Sequence, residues 1–244
     1  MAFLPLMDNN PRRSLRYPWV TWGLIVLCVY IFFEQTAGGS HRYLSIIHGF
    51  GFIPALLSGT ASLPPELEQL PPFLTLISYQ FLHGSFMHLL GNMLFLFVFG
   101  DNIEDSMGHL RFLAFYLICG ITAGLVHYLL NAEATVPTIG ASGAVSGVLG
   151  AYLLLHPRSK ILVPVIIIPL FIPAWILLIV WFVMQVMGAT GGDGYQGVAW
   201  WAHIGGFVTG LLLVIPFRYK TVQLFDGRPP PQGVRLRRQK KRRK

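Results

Sequence analysis

Charge is scarce in this sequence. Asp, Glu, Lys and Arg together make up 11% of its 244 residues, where a soluble domain carries about 25%. That shortage excludes an ordinary soluble fold. Acidic residues are fewest, 10 against 18 Lys and Arg. There are only two cysteines, Cys28 and Cys119, both inside apolar runs. They exclude a zinc site of their own and argue against a structural disulfide. No repeat of fixed period is present, so solenoid architectures are excluded. What the chain has instead is apolar surface: 54% hydrophobic residues and a mean hydropathy of +0.59. A polytopic membrane protein is expected. The first apolar run lacks a small-residue cleavage site and is followed by others, which argues against a cleaved signal.

A membrane-crossing helix needs about 20 mostly apolar residues. Six stretches qualify: Pro18 to Phe33, Phe86 to Gly100, Phe112 to Leu130, Ala141 to Leu155, Pro173 to Met187 and Val198 to Pro216. The expected fold is an all-α bundle of six transmembrane helices over residues 18–217. A short segment, 1–17, precedes it and a basic tail, 218–244, follows. No charged residue falls between Ile161 and Met187, but Pro164, Pro169 and Pro173 argue against one long helix there. Residues 161–172 read as an interfacial or re-entrant approach, with Pro173 in the first turn of the fifth helix.

The net charge of +8 is not a nucleic-acid signature. The tail beyond Gly233 is strongly basic but carries no base-reading or stacking motif. Beside a membrane span it reads as a cytoplasmic anchor able to attract anionic lipid. With six spans, every Lys and Arg except Arg42 falls on the side of the termini. That side is therefore expected to be cytoplasmic. Asp101 to Asp105 reads as a cytoplasmic loop. The long external segment from Gln35 to Ser85 is too apolar for a disordered linker and reads as partly membrane-embedded.

Polar side chains inside spans are expensive and mark candidate functional positions. In the spans or at their edges they are His83, His88, Asn92, Glu104, His127, Ser142, Ser146, Gln185, His203 and Thr209. Gly140-Ala141-Ser142-Gly143 places a serine in the first turn of the fourth span, where backbone N–H groups lack intrahelical partners. Those donors and the helix dipole favour a developing oxyanion. The flanking glycines Gly140 and Gly143 allow a substrate backbone close. The alternative is a small-residue packing interface with Ser142 as a helix cap.

His203 lies near the external end of the sixth span. It precedes Gly206 and Gly210, which form one small-residue stripe. A neighbour packed on that stripe meets the histidine. If the neighbour is the fourth span, His203 reaches Ser142, and a base is what a serine hydroxyl needs to become nucleophilic. The alternative is a histidine bonded to a backbone carbonyl. His88 and Asn92, four apart on the second span, share a face, and both can donate to an oxyanion. His83, just before that helix, suits a structural or water-handling role. The His-x4-His spacing is not that of a zinc protease, so neither metal nor cofactor is expected. No acidic residue is placed to complete a triad, which leaves a Ser–His dyad.

In this order, the three constellations resemble the rhomboid family of intramembrane serine proteases, of bacterial type. The resemblance runs from about Phe81 to Gly210. It includes Gly100-Asp-Asn-Ile-Glu104-Asp-Ser-Met-Gly108, similar to the family's Gly-x3-Glu-x3-Gly, whose role here reads as capping and tying a loop. The resemblance implies that Ser142 attacks the scissile carbonyl and that His203 moves the proton. The Ser142 N–H, His88 and Asn92 hold the oxyanion. Substrates are single-pass membrane proteins with a small residue before the cut and a locally unstable helix. They approach by the fifth helix and the segment Gly188 to Gly197. The implied setting is a bacterial inner membrane, with lipids as partners and no nucleic acid. Two features depart from the family. No Trp-Arg pair occurs between Gln35 and Ser85, and Ser146 stands where some members stack a tyrosine on the histidine. Two other classes stay in view: a non-catalytic relative that binds membrane clients, and a transporter using the buried histidines.

Overall fold

The computed structural model describes residues 4–165, 168–191 and 197–225. Two further parts of the sequence reading, the basic tail beyond Phe225 and the middle of the Gly188–Gly197 segment, lie outside these residues. The described chain is mostly helical. Its long helices are α1 (Trp19–Thr36), α5 (Phe86–Met107), α6 (His109–Leu130), α7 (Ser142–Leu155), α8 (Ala174–Thr190) and α9 (Trp200–Phe217). Between α1 and α5 lie three shorter ones, α2 (Gly39–Phe50), α3 (Pro54–Leu57) and α4 (Thr75–Ser78). By length and composition α1, α5, α6 and α9 suffice to cross a membrane, while α7 and α8 are shorter apolar helices.

The boundaries have local causes. Ser85 caps α5: its Oγ accepts from the His88 N–H at 3.1 Å, the bond that satisfies an orphan donor of the first turn. Gly108, at φ 82°, ends α5 and admits α6 at the next residue; a left-handed backbone favours glycine.

Three expectations are corrected. The segment Asp101 to Asp105 is helical, because α5 runs on to Met107. The acids stay helical because they face groups on the first segments of the chain. Glu104 accepts from the Val20 and Thr21 N–H groups and the Thr21 hydroxyl. Asp105 accepts from the Arg13, Ser14 and Leu15 N–H groups. Second, residues 161–172 belong to a hairpin of β2 (Lys160–Val165) and β3 (Ile168–Pro173). The run is rich in Val and Ile, which suit a pleated surface. Strand β1 (Met7–Asp8) pairs with β2 at Ile161 and Leu162 only. Pro164 thus sits where β2 has a single neighbour, an edge position that tolerates a missing donor. Third, Pro173 ends β3 and precedes α8 rather than occupying its first turn.

The core lies among α5, α6, α7 and α9, around Phe99, Phe112, Phe115, Tyr116 and Tyr152. Residues Gly143 to Tyr152 of α7 are all buried. A helix apolar on every side belongs inside a bundle, and α7 occupies that place. Outside the bundle, the Gln35–Ser85 segment is ordered by α2, α3 and α4. Phe52 exchanges backbone hydrogen bonds with Thr138, joining it to the approach to α7. Its Phe52, Ile53 and Ala55 are buried within the protein.

Candidate active site

Ser142 is the first residue of α7, and Ala141 is its N-cap. The alternative reading of Ser142 as the cap therefore fails. Its hydroxyl is free of that duty and lies 2.8 Å from Nε2 of His203. Ser146, one turn on, donates its hydroxyl to the Ser142 carbonyl at 2.6 Å. The other half of the alternative, a small-residue interface, holds as well. A Cβ on Gly206 would run into the Gly143 carbonyl, and one on Gly210 into the Gly147 carbonyl. Backbone-to-backbone approach of α7 and α9 is what brings serine and histidine together.

The far side of the imidazole is also engaged. Its Nδ1 is 2.8 Å from Oε1 of Gln185 on α8. The rings of Trp181 and Trp200 lie 6.1 and 6.2 Å from it, centroid to centroid. Both rings thus pack beside the imidazole, where Ser146 contributes none. Sequence reasoning included Gln185 among the polar residues of the spans but gave it no partner, and passed over both tryptophans. The one available signal was an amide in an otherwise apolar helix.

His88 and Asn92 come to the same place from α5. The Gly84 N–H points at His88 Nδ1 at 3.4 Å, which leaves Nε2 to carry the ring hydrogen. The amide nitrogen of Asn92 is buried without a hydrogen-bond partner among the described residues, a donor still to be satisfied. Between these groups and the serine lies Gly140, at φ 127°. A Cβ there would stand 2.7 Å from His88 Nε2 and 3.6 Å from Asn92 Nδ2. The glycine therefore keeps open the space that both donors face.

His83 is fully buried, its ring 5.2 Å from that of His88. Its backbone is clamped by the side-chain amide of Gln35 on α1. Burial, and then the neighbouring His88, hold its pKa down to about 3, so the ring is neutral. It does not touch Ser142 or His203 by any hydrogen bond between described residues, which fits a supporting position.

His88, Asn92, Ser142, Trp181, Gln185 and His203 line one cavity of about 480 Å³, of which His83 is not a wall. Its chemistry is readable from the parts. A hydroxyl against an imidazole nitrogen can be deprotonated as it attacks. Donors aimed into an adjacent space can stabilise negative charge developing there. Among the described residues no group of three or more His, Cys, Asp or Glu could hold a metal ion.

The family model described as "Rhomboid domain" matches residues 71–220. The chain belongs to the rhomboid family. Rhomboids are integral membrane proteins, and the apolar helices agree with that. The chain is 26% identical to "Rhomboid protease GlpG" of Haemophilus influenzae over 195 residues, covering 79% of this chain and 88% of that one. It is 42% identical to "RHOMBOID-like protein 5" of Arabidopsis thaliana over 78 residues, 32% of this chain and 25% of the plant protein. To "Rhomboid-like protease 5" of Toxoplasma gondii it is 36% identical over 135 residues, 54% of this chain and 15% of that one. The chain thus spans a quarter or less of the plant and parasite relatives and most of GlpG. Two of these three rhomboids are named as proteases.

Proposed function

We propose that this rhomboid is a serine endopeptidase that cuts single-pass membrane proteins in or near their transmembrane helices. The observation that carries the reading is the 2.8 Å approach of Ser142 Oγ to His203 Nε2, inside a cavity that also holds two unused donors.

In the proposed reaction Ser142 Oγ attacks the scissile carbonyl carbon while His203 Nε2 takes the hydroxyl proton. The carbonyl π electrons move to oxygen. The resulting oxyanion accepts from the Ser142 N–H at the start of α7, His88 Nε2–H and Asn92 Nδ2–H. Collapse breaks the C–N bond, and His203 returns the proton to the leaving amine. Water, deprotonated by the same nitrogen, then attacks the acyl carbon; collapse breaks the bond to Ser142 Oγ, and His203 returns the proton to that oxygen. No metal or cofactor enters these steps.

The setting proposed is six spans, with α7 and α8 as the short ones, and both termini cytoplasmic, which the distribution of Lys and Arg supports. The 14 residues of α7 reach about 21 Å at ~1.5 Å per residue. A hydrocarbon core is about 30 Å thick. With its other end at the cytoplasmic face, α7 presents Ser142 below the external surface. Substrate approaches past α8, whose outer face exposes Trp175, Ile179 and Val183. Residence in a bacterial inner membrane belongs to the same proposal.

Purified protein in detergent, given a tagged single-pass substrate, tests the reading. Wild type is expected to yield two fragments, and folded Ser142→Ala and His203→Ala none. Wild type that binds several such substrates without cutting any of them would favour a client-binding rhomboid instead.

A further inference from the structure

An amide buried in a nearly all-apolar helix is costly unless its hydrogen bonds are made. Gln185 is that residue in α8, and it is buried. Both ends of its amide are engaged. Nε2 donates to the Trp181 carbonyl, one turn back, at 2.9 Å. Oε1 faces His203 Nδ1 at 2.8 Å.

The order of these bonds is dictated by chemistry. A carbonyl oxygen only accepts, so the end of the amide facing Trp181 must be the NH2 group. The end facing the histidine is then the oxygen, which also only accepts. The histidine must therefore carry its hydrogen on Nδ1. In a neutral imidazole the other nitrogen is left with a lone pair, and that nitrogen faces Ser142 at 2.8 Å. One backbone carbonyl of α8 thus selects, through one amide, the tautomer able to receive the serine proton.

We propose that Gln185 is the positioning residue for His203, fixing its ring orientation and its Nδ1–H tautomer from α8. The inference rests on the serine-protease reading for its consequence, though not for its geometry. It supplies the function of the third member of a triad, which holds the base in the correct tautomer, with a neutral amide in place of a carboxylate. It also answers what steadies the histidine where Ser146 replaces an aromatic ring. The turn that carries Gln185 contributes Trp181 as well, whose ring lies 6.1 Å from that of His203 and 5.9 Å from that of Phe207. Because the brace stands on α8, the helix proposed to face arriving substrate, the base is held by the wall of the access route.

Two measurements separate this inference from the reading it rests on. The first is nitrogen NMR of ring-labelled histidine in the purified full chain, with His203 assigned by His203→Ala. The proposal requires a protonated Nδ1 and an unprotonated Nε2 in wild type, and loss of that fixed pattern in Gln185→Met, a substitution of similar shape without an amide. The second is kinetics on a single-pass model substrate. Gln185→Met is expected to lower kcat by about 10²-fold, the scale of a well-placed proton transfer, with KM unchanged. Gln185→Glu, which restores an acceptor, is expected to recover most of the loss. A wild-type Nε2–H tautomer overturns the proposal. So does Gln185→Met with wild-type kcat, or Gln185→Glu no better than Gln185→Met at equal thermal stability. If the tautomer pattern is as required but wild type cuts nothing, the positioning stands and the protease reading fails.

Discussion

Gly206 of α9 lies so close to the carbonyl of Gly143 in α7 that no Cβ fits between them. The contact is one residue from Ser142 and one turn from His203, and it sets their separation. Gly206→Ala must push the helices apart or strain them, and overpacking of this kind costs about 1–3 kcal/mol. The expected result is a lower unfolding temperature together with an activity loss larger than the stability loss explains. Gly210→Ala, a turn further from the site, should lower stability by a similar amount and activity less. Thermal unfolding in detergent beside a cleavage assay checks both.

Gly140 keeps the oxyanion space empty. Gly140→Ala places a methyl group 2.7 Å from His88 Nε2, and its φ of 127° is strained for any L side chain. Asn92→Ala removes one donor and adds nothing. Each is expected to lower kcat by about 10²- to 10³-fold, the scale of a lost oxyanion donor, with Asn92→Ala leaving the unfolding temperature near that of wild type. Single-turnover cleavage rates check this.

Glu104 gathers four donors from α1 and α6: two N–H groups, the Thr21 hydroxyl and the His109 ring. Glu104→Ala leaves the buried Thr21 N–H and hydroxyl without this partner, and such loss costs about 1–3 kcal/mol or more. A clear drop in unfolding temperature is expected, with hydrogen exchange rising at the start of α1 before it rises in α7.

Asp8 joins the first described residues to the bundle. Its carboxyl accepts from the Tyr152 hydroxyl at 2.6 Å and from the Asn102 amide at 2.9 Å. Burial, with Asp101 nearby, pushes its pKa up from 3.8 to about 7. The folded state therefore holds the proton more tightly than the unfolded chain. Its contribution to stability is full below pH 3.8 and declines as pH rises toward about 7. Protection factors of the amides around β1, exchange rates corrected for the intrinsic base-catalysed rate, should thus be higher at pH 5 than at pH 8. Asp8→Asn should remove most of that difference.

Much of this was legible in the chain itself, where the signal was local. The apolar runs located the six long helices to within a few residues at most ends, because hydropathy needs no partner. Ser142 and His203 stood out as polar groups beside small-residue stripes, and the stripes indicated which helices could touch. What escaped depended on distant partners. Asp101 to Asp105 looked like a polar loop because the Arg13 to Thr21 backbone that satisfies its acids is some eighty residues away. The hairpin at 160–173 was hidden by prolines that its edges tolerate, Pro164 where β1 has left β2, and Pro169 and Pro173 on the outer strand β3. Gln185 and Trp181 stand on α8 and meet His203 only once α8 and α9 are packed, whereas Trp200, three residues before His203 on α9, was a local neighbour passed over because it is apolar.

The most direct test of Ser142 as a nucleophile activated by His203 is covalent labelling. A fluorophosphonate probe is added to the purified protein, and the modified peptide is sequenced by mass spectrometry. One phosphonyl group on Ser142 is expected in wild type, strongly reduced in His203→Ala and absent in Ser142→Ala. Labelling at another residue, or equal labelling of Ser142 without His203, would contradict the dyad.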